Sequence, residues 1–99
     1  MIPYTLAILD VARETAAALP EKDRRMIMDA LRIIQAVPHR EGTRLTDDLA
    51  GFRRLKKGRY RIFYEIKEAE HLIRVLFIGH RKEGDKQDAY RLFRKLIGR

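Results

Sequence analysis

The stretch that decides the fold is Arg53-Arg54-Leu55-Lys56-Lys57-Gly58-Arg59-Tyr60-Arg61-Ile62-Phe63-Tyr64. It reads as two strands joined by the two-residue link Gly58-Arg59, which suits an antiparallel hairpin. Alternation along a strand sorts side chains onto two faces. Arg54 and Lys56 share one face, and Leu55 points to the other. On the second strand Ile62, Tyr64 and Ile66 share a face; Arg61, Phe63 and Glu65 share the opposite one. The nine residues 53–61 hold six bases and no acid.

Outward from this hairpin the pattern changes period. Strands are expected over 52–57, 60–67 and 72–79, with a short polar link at 68–71. The last is apolar on both faces apart from Arg74, so it belongs inside the sheet. Upstream, residues 37–51 read as loop, punctuated by Pro38, Gly42 and Gly51. Before them a helix spans residues 21–36, with Ile27, Ala30, Leu31 and Ile34 as its buried stripe and Arg24, Arg25, Asp29 and Arg32 on its wet face. Pro20 separates it from a shorter helix ending near Leu19, capped by Asp10 and carrying Val11, Ala12, Thr15, Ala16 and Leu19 at helical spacing. Residues 3–9 read as a first strand. Residues 85–96 put Ala89, Leu92, Phe93 and Leu96 at helical spacing and form a last helix that docks on something apolar. The order β-α-α-β-β-β-α describes an α+β fold: one mostly antiparallel sheet packed on a helical hairpin, with a C-terminal helix. The 99 residues make one domain, 1–99.

Composition narrows the chemistry. With 22 Lys+Arg against 14 Asp+Glu, the formal charge is +8, which favours nucleic acid, an acidic protein or an anionic surface as partner. The absence of cysteine excludes disulfide scaffolds, thiolate metal sites and thiol nucleophiles. His39, His71 and His80 have no His-x-x-x-His spacing, so neither a metal nor a cofactor is expected. The apolar run Val75-Leu76-Phe77-Ile78 is far short of the ~20 residues of a membrane span. Met1-Ile2-Pro3-Tyr4 carries no basic segment of a secretory signal, so a cytoplasmic location is expected.

If the helices cover Leu55, Ile62 and Ile66, the open face displays Arg54, Lys56, Arg61 and Phe63. Arg53, Lys57 and Arg59 extend the basic run, and the third strand ends in His80 and Arg81. Such a face can simply be solvated. Against that, like charges on neighbouring strands repel, local acids are few, and Phe63 supplies a surface on which bases stack. A phosphate-binding cleft explains the pattern better. Cleavage of RNA by its own 2′-hydroxyl needs a base, cations for the charge on phosphorus, and an acid for the leaving oxygen. Arg54, Arg61 and Arg81 suit the phosphate. Arginine is always protonated, whereas like charges favour a neutral amine at Lys56, the candidate base. Tyr64, His80 or Tyr90 are available for proton transfer.

Leu49-Ala50-Gly51, Arg53-Arg54-Leu55-Lys56, Gly58-Arg59-Tyr60-Arg61-Ile62-Phe63-Tyr64 and Ile78-Gly79-His80-Arg81, in this order and spacing, resemble the RelE/ParE superfamily of bacterial type II toxins. The Leu19-Pro20 break and the Pro38, Gly42, Leu45 loop resemble it too. The resemblance implies a RelE-like fold. It also implies a ribosome-dependent mRNA endonuclease and an acidic cognate antitoxin that wraps the toxin. By resemblance Arg54 and Lys56 match two basic strand positions of the RelE active site. Arg61 matches the phosphate-binding arginine of the Tyr-Arg motif. Arg81 matches the strand-end arginine that stabilises the transition state or serves as acid. Two positions depart from the pattern. Arg54 stands where relatives carry lysine, which leaves the base to Lys56. Tyr90 lies further from Arg81 than the usual tyrosine, which makes His80 a substitute.

Three functions follow as expectations. The first is an mRNA interferase acting on ribosome-bound message. The second is a ParE-like inhibitor of DNA gyrase without catalysis. The third is an RNA- or ribosome-binding module without toxicity, whose binding would weaken with salt.

Overall fold

The strongest helical signal gives the helix expected from it. In the computed structural model α2 spans Glu21–Ala36. It follows Pro20 and buries Ile27, Ala30, Leu31 and Ile34. Before it, β1 covers Thr5–Ile8 and α1 covers Asp10–Ala17. The N-cap of α1 is Leu9 and makes no side-chain capping bond, so Asp10 is its first helical residue rather than its cap. There its carboxylate favours the positive end of the helix dipole. Val11, expected in the buried stripe, is exposed, and Ala12 carries the contact. The structure describes residues 3–80 and 88–98. Among them, no helix is long and apolar enough to cross a membrane.

After α2 the chain makes β2 (Thr43–Arg44), β3 (Arg53–Lys57), β4 (Tyr60–Lys67) and β5 (Leu72–His80), then α3 (Asp88–Ile97). The sheet order is β1-β5-β4-β3-β2, with β1 parallel to β5 and every other pair antiparallel. The two-residue β2 falls in the segment expected to be loop. Too short to show alternation, it exists because it pairs Thr43 with Arg54 and Arg44 with Arg53. Arg74, the charge inside β5, lies opposite Glu65 and bonds it at 3.1 Å.

Each face of the sheet has its own core. On one, α1 and α2 cover Tyr60, Ile62, Tyr64, Ile73, Val75 and Ile78. On the other, α3 brings Ala89 and Phe93 onto Phe63 and Leu76. The register shift between Phe63 and Tyr64 lets neighbours Leu76 and Phe77 both serve this second core. In α3 Ala89 and Phe93 are buried and Ile97 partly so, one residue every turn or so, while Leu92 and Leu96 are 46% and 43% exposed. The expected pairing of Leu92 and Leu96 with the core is therefore corrected.

The loop after α2 is tied by one tyrosine. The Tyr64 hydroxyl lies 2.5 Å from the Glu41 carbonyl oxygen and 3.0 Å from that of Pro38. Burial pushes its pKa up, so it stays a donor. Gly42 is left-handed at φ 74°, and a Cβ there would meet the Tyr64 hydroxyl at 2.6 Å. Gly42→Ala should therefore cost about 1–3 kcal/mol through strain at this φ. Urea unfolding checks this; an unchanged midpoint would mean the loop is free to move aside.

Candidate functional site

The hairpin β3–β4 builds the site by register. Lys56 lies opposite Arg61, which lies opposite Gly79; Arg54 lies opposite Phe63, which lies opposite Phe77. Arg54, Lys56 and Arg61 thus share the face that α3 partly covers, as alternation predicts. Lys56 is exposed. Arg61 is 8% exposed, and its Nη1 donates to the carbonyl oxygens of Tyr60 at 2.9 Å and Gly58 at 3.2 Å. It braces the turn from the inside while belonging to the basic row.

Tyr90 reaches this row. From the first turn of α3 its hydroxyl accepts a hydrogen bond from Arg54 Nη1, and its ring stands edge-on to Phe63 at 5.4 Å. The Arg54 Nε is buried and has no hydrogen-bond partner among the described residues. A buried donor without an acceptor is costly.

Phe63 is not on an open face. It is fully buried, stacked on Phe93 at 4.4 Å with an interplanar angle of 17°. Alternation placed it on the correct side, but α3 occupies the surface intended for a base. His80 is on the wrong side for the cleft. Its register partner is Tyr60, whose ring is 5.4 Å away in the core under α1 and α2. Tyr64 faces that same core. Arg81 lies outside the described residues.

Three more bases of the run are placed elsewhere. Arg53 bonds the loop after α2: its Nη2 donates to His39 O at 2.9 Å, Glu41 O at 3.2 Å and Gly42 O at 3.3 Å, and its Nε reaches the Tyr64 hydroxyl at 3.3 Å. Lys57 lines a groove with Glu21, Lys22, Arg25, Met26 and Asp29 of α2. Arg59 lies over the Tyr60 ring, 5.8 Å from its centroid, and 3.4 Å from Asp23. Arg53, Lys57 and Arg59, named with Arg54 and Lys56 as candidate RNA-binding residues, do not share their face: register turns the first two to the other side, and Asp23 holds the third.

Asp23 also accepts the Tyr60 hydroxyl at 2.6 Å. That bond, aided by Arg59, holds its carboxyl below the usual 3.8. The Tyr60 hydroxyl is pushed up, mainly by burial. A depressed carboxylate adds stability that is fully present above its unfolded value and lost as pH falls through the folded one. Asp23→Asn should therefore be less stable than wild type at neutral pH, with the gap closing as pH is taken well below 3.8. Urea titrations across that range check it; a gap independent of pH would contradict the ionic account.

A family profile described as the ParE toxin of type II toxin-antitoxin system, parDE, matches residues 7–84. Toxin RelE of Mycobacterium tuberculosis is 31% identical over 80 residues, covering 80% of this chain and 82% of that one. The chain belongs to the RelE/ParE toxin superfamily. Among solved structures, this RelE/ParE-type chain is similar to the toxin–antitoxin complex RelBE2 from Mycobacterium tuberculosis, with a TM-score of 0.74 and 27% identity over 81% of this chain and 100% of that one. The RelE–RelB complex from Pyrococcus horikoshii gives a TM-score of 0.67 at 22% identity, over 84% of this chain and 100% of that one, a likeness of fold. The RelE-like architecture expected from the sequence is the one observed.

Phe93, expected on the docking face of the last helix, seats α3 by stacking on Phe63. Sequence reasoning missed Gly79, where a Cβ would meet Ala89 Cβ at 2.6 Å. A glycine inside an apolar strand is the available signal for such a close approach.

Proposed function

We propose that this chain is the toxin of a type II toxin–antitoxin module and acts as a metal-free, ribosome-dependent mRNA endonuclease. The observation that carries the reading is the row Arg54, Lys56 and Arg61 on one sheet face with the Tyr90 hydroxyl brought onto Arg54. The 2′-hydroxyl of a bound message attacks the adjacent phosphorus and expels the 5′-oxygen. Lys56, exposed at the edge of the row, takes the 2′-hydroxyl proton. Arg54 and Arg61 hold the phosphate oxygens by charge-assisted hydrogen bonds. Tyr90 accepts from Arg54 and gives its own proton to the leaving oxygen. Arg81 keeps, from the sequence alone, the role of stabilising the pentacoordinate phosphorus or donating the proton. His80, turned toward Tyr60, has no part in this scheme.

The partner is an acidic cognate antitoxin. Support comes from the charge of +8 and from the RelBE2 relative, solved as a toxin–antitoxin complex. The ParE profile favours a second reading, a gyrase inhibitor that cleaves nothing. Induction of the chain in a bacterial host distinguishes them. Growth arrest with cut message and normally supercoiled plasmid is expected. Growth arrest with intact message and altered supercoiling would replace the first reading by the second. Unimpaired growth of cells that accumulate the folded chain would leave a binding module only.

A further inference from the structure

Two contacts set how α3 lies on the sheet. One turn into the helix, Phe93 rests flat on Phe63 and edge-on to Phe52 at 5.2 Å. One turn earlier, Ala89 sits over Gly79, and only the Ala89 methyl stands between helix and strand. A Cβ on Gly79 would lie 2.6 Å from Ala89 Cβ, 3.0 Å from Phe77 Cε2 and 3.3 Å from Ala89 Cα. Carbon atoms prefer about 3.5–4.0 Å. A methyl here would therefore lift the start of α3 by about 1 Å. Tyr90 is the next residue along, and its hydroxyl is the one bonded to Arg54. A hydrogen bond does not survive a shift of that size. Gly79 is also the register partner of Arg61, at the end of the Lys56–Arg61 row, so the same missing side chain keeps that end of the row clear.

We propose that Gly79 is a positioning residue: by letting α3 sit directly on β5 at Ala89, it holds the Tyr90 hydroxyl on the Arg54 guanidinium. Its catalytic consequence rests on the endonuclease reading, whereas the placement of Tyr90 stands by itself. Gly79 touches neither substrate nor reacting atoms in this scheme.

The test uses the full chain, purified from its antitoxin complex, and reads two quantities. One is the Arg54 Nε–H resonance by ¹⁵N NMR, assigned with Arg54→Lys. The other is cleavage of ribosome-bound message. Gly79→Ala should move the Arg54 resonance toward its position in Tyr90→Phe and lower cleavage by about tenfold, the size of one lost hydrogen bond. Ala89→Val adds bulk from the helix side of the same contact and should do the same, which covers a poorly folding Gly79→Ala. Ala89→Gly removes the methyl of the shortest contact, so Gly79→Ala with Ala89→Gly should recover much of both readouts. In a Tyr90→Phe background Gly79→Ala should cost nothing further in cleavage, because both act through one contact. An Arg54 resonance unmoved by Gly79→Ala and Ala89→Val, or no recovery in the double variant, would overturn the proposal. If the wild-type chain cleaves no message, the endonuclease reading fails, and the NMR arm alone decides for or against the seat at Gly79.

Discussion

Replacing Lys56 by alanine should lower cleavage of ribosome-bound message by about 100- to 10,000-fold, the range for loss of a positioned acid or base. The fold should survive, because Lys56 is exposed on a strand whose other face carries the core contact through Leu55. Lys56→Arg separates two roles. Arginine keeps the charge beside Arg61 but cannot give up its proton. If Lys56 is the base, Lys56→Arg should be as inactive as Lys56→Ala. If it only attracts phosphate, Lys56→Arg should cleave at close to the wild-type rate. Single-turnover rates on programmed ribosomes, with urea unfolding of each variant, check both.

The largest expected loss of stability is at Phe93. Its side chain is fully buried, and it packs against Phe63, Phe52 and Phe77 at once. Truncating a buried phenylalanine to alanine costs about 3–5 kcal/mol. A domain of this size has about 5–15 kcal/mol in total. Phe93→Ala should therefore either unfold the chain at modest urea or release α3 from the sheet. Release exposes Phe63 and Leu76 and takes Tyr90 away from Arg54, since α3 is the element that brings it there. Phe93→Leu keeps much of the volume and should lose far less. Urea midpoints and limited proteolysis near α3 measure these effects. A Phe93→Ala chain with wild-type stability would mean that α3 contributes little to the second core.

The legible parts of the fold were those with a long, regular pattern. In α2, Ile27, Ala30, Leu31 and Ile34 recur at helical spacing between Pro20 and Pro38, and its bounds came out as expected. In β4, Ile62 and Tyr64 alternate with Arg61 and Phe63, and the faces assigned from that alternation hold. Harder to read was what covers each face. For Phe63 alternation states only which side it is on, and the helix that buries it arrives from twenty-five residues or more away in sequence. Leu92 and Leu96 looked like core because apolar residues at helical spacing define two overlapping stripes in α3, and packing on Gly79 and Phe63 selects Ala89 and Phe93. In the basic run, charge alone did not separate Arg53, which holds three backbone carbonyls, from Arg54, which faces Tyr90. Parity along the strand did, once the covered faces were known.

The central claim is that the Arg54, Lys56 and Arg61 face cuts message on the ribosome. Its most direct test mixes the purified toxin with ribosomes stalled on a message of known sequence and maps the new 5′ ends by primer extension. The account predicts cuts at the ribosome-held codon, absent from naked message and lost in Lys56→Arg. Intact message in the presence of folded toxin, with inhibited supercoiling when DNA gyrase is supplied instead, would contradict it.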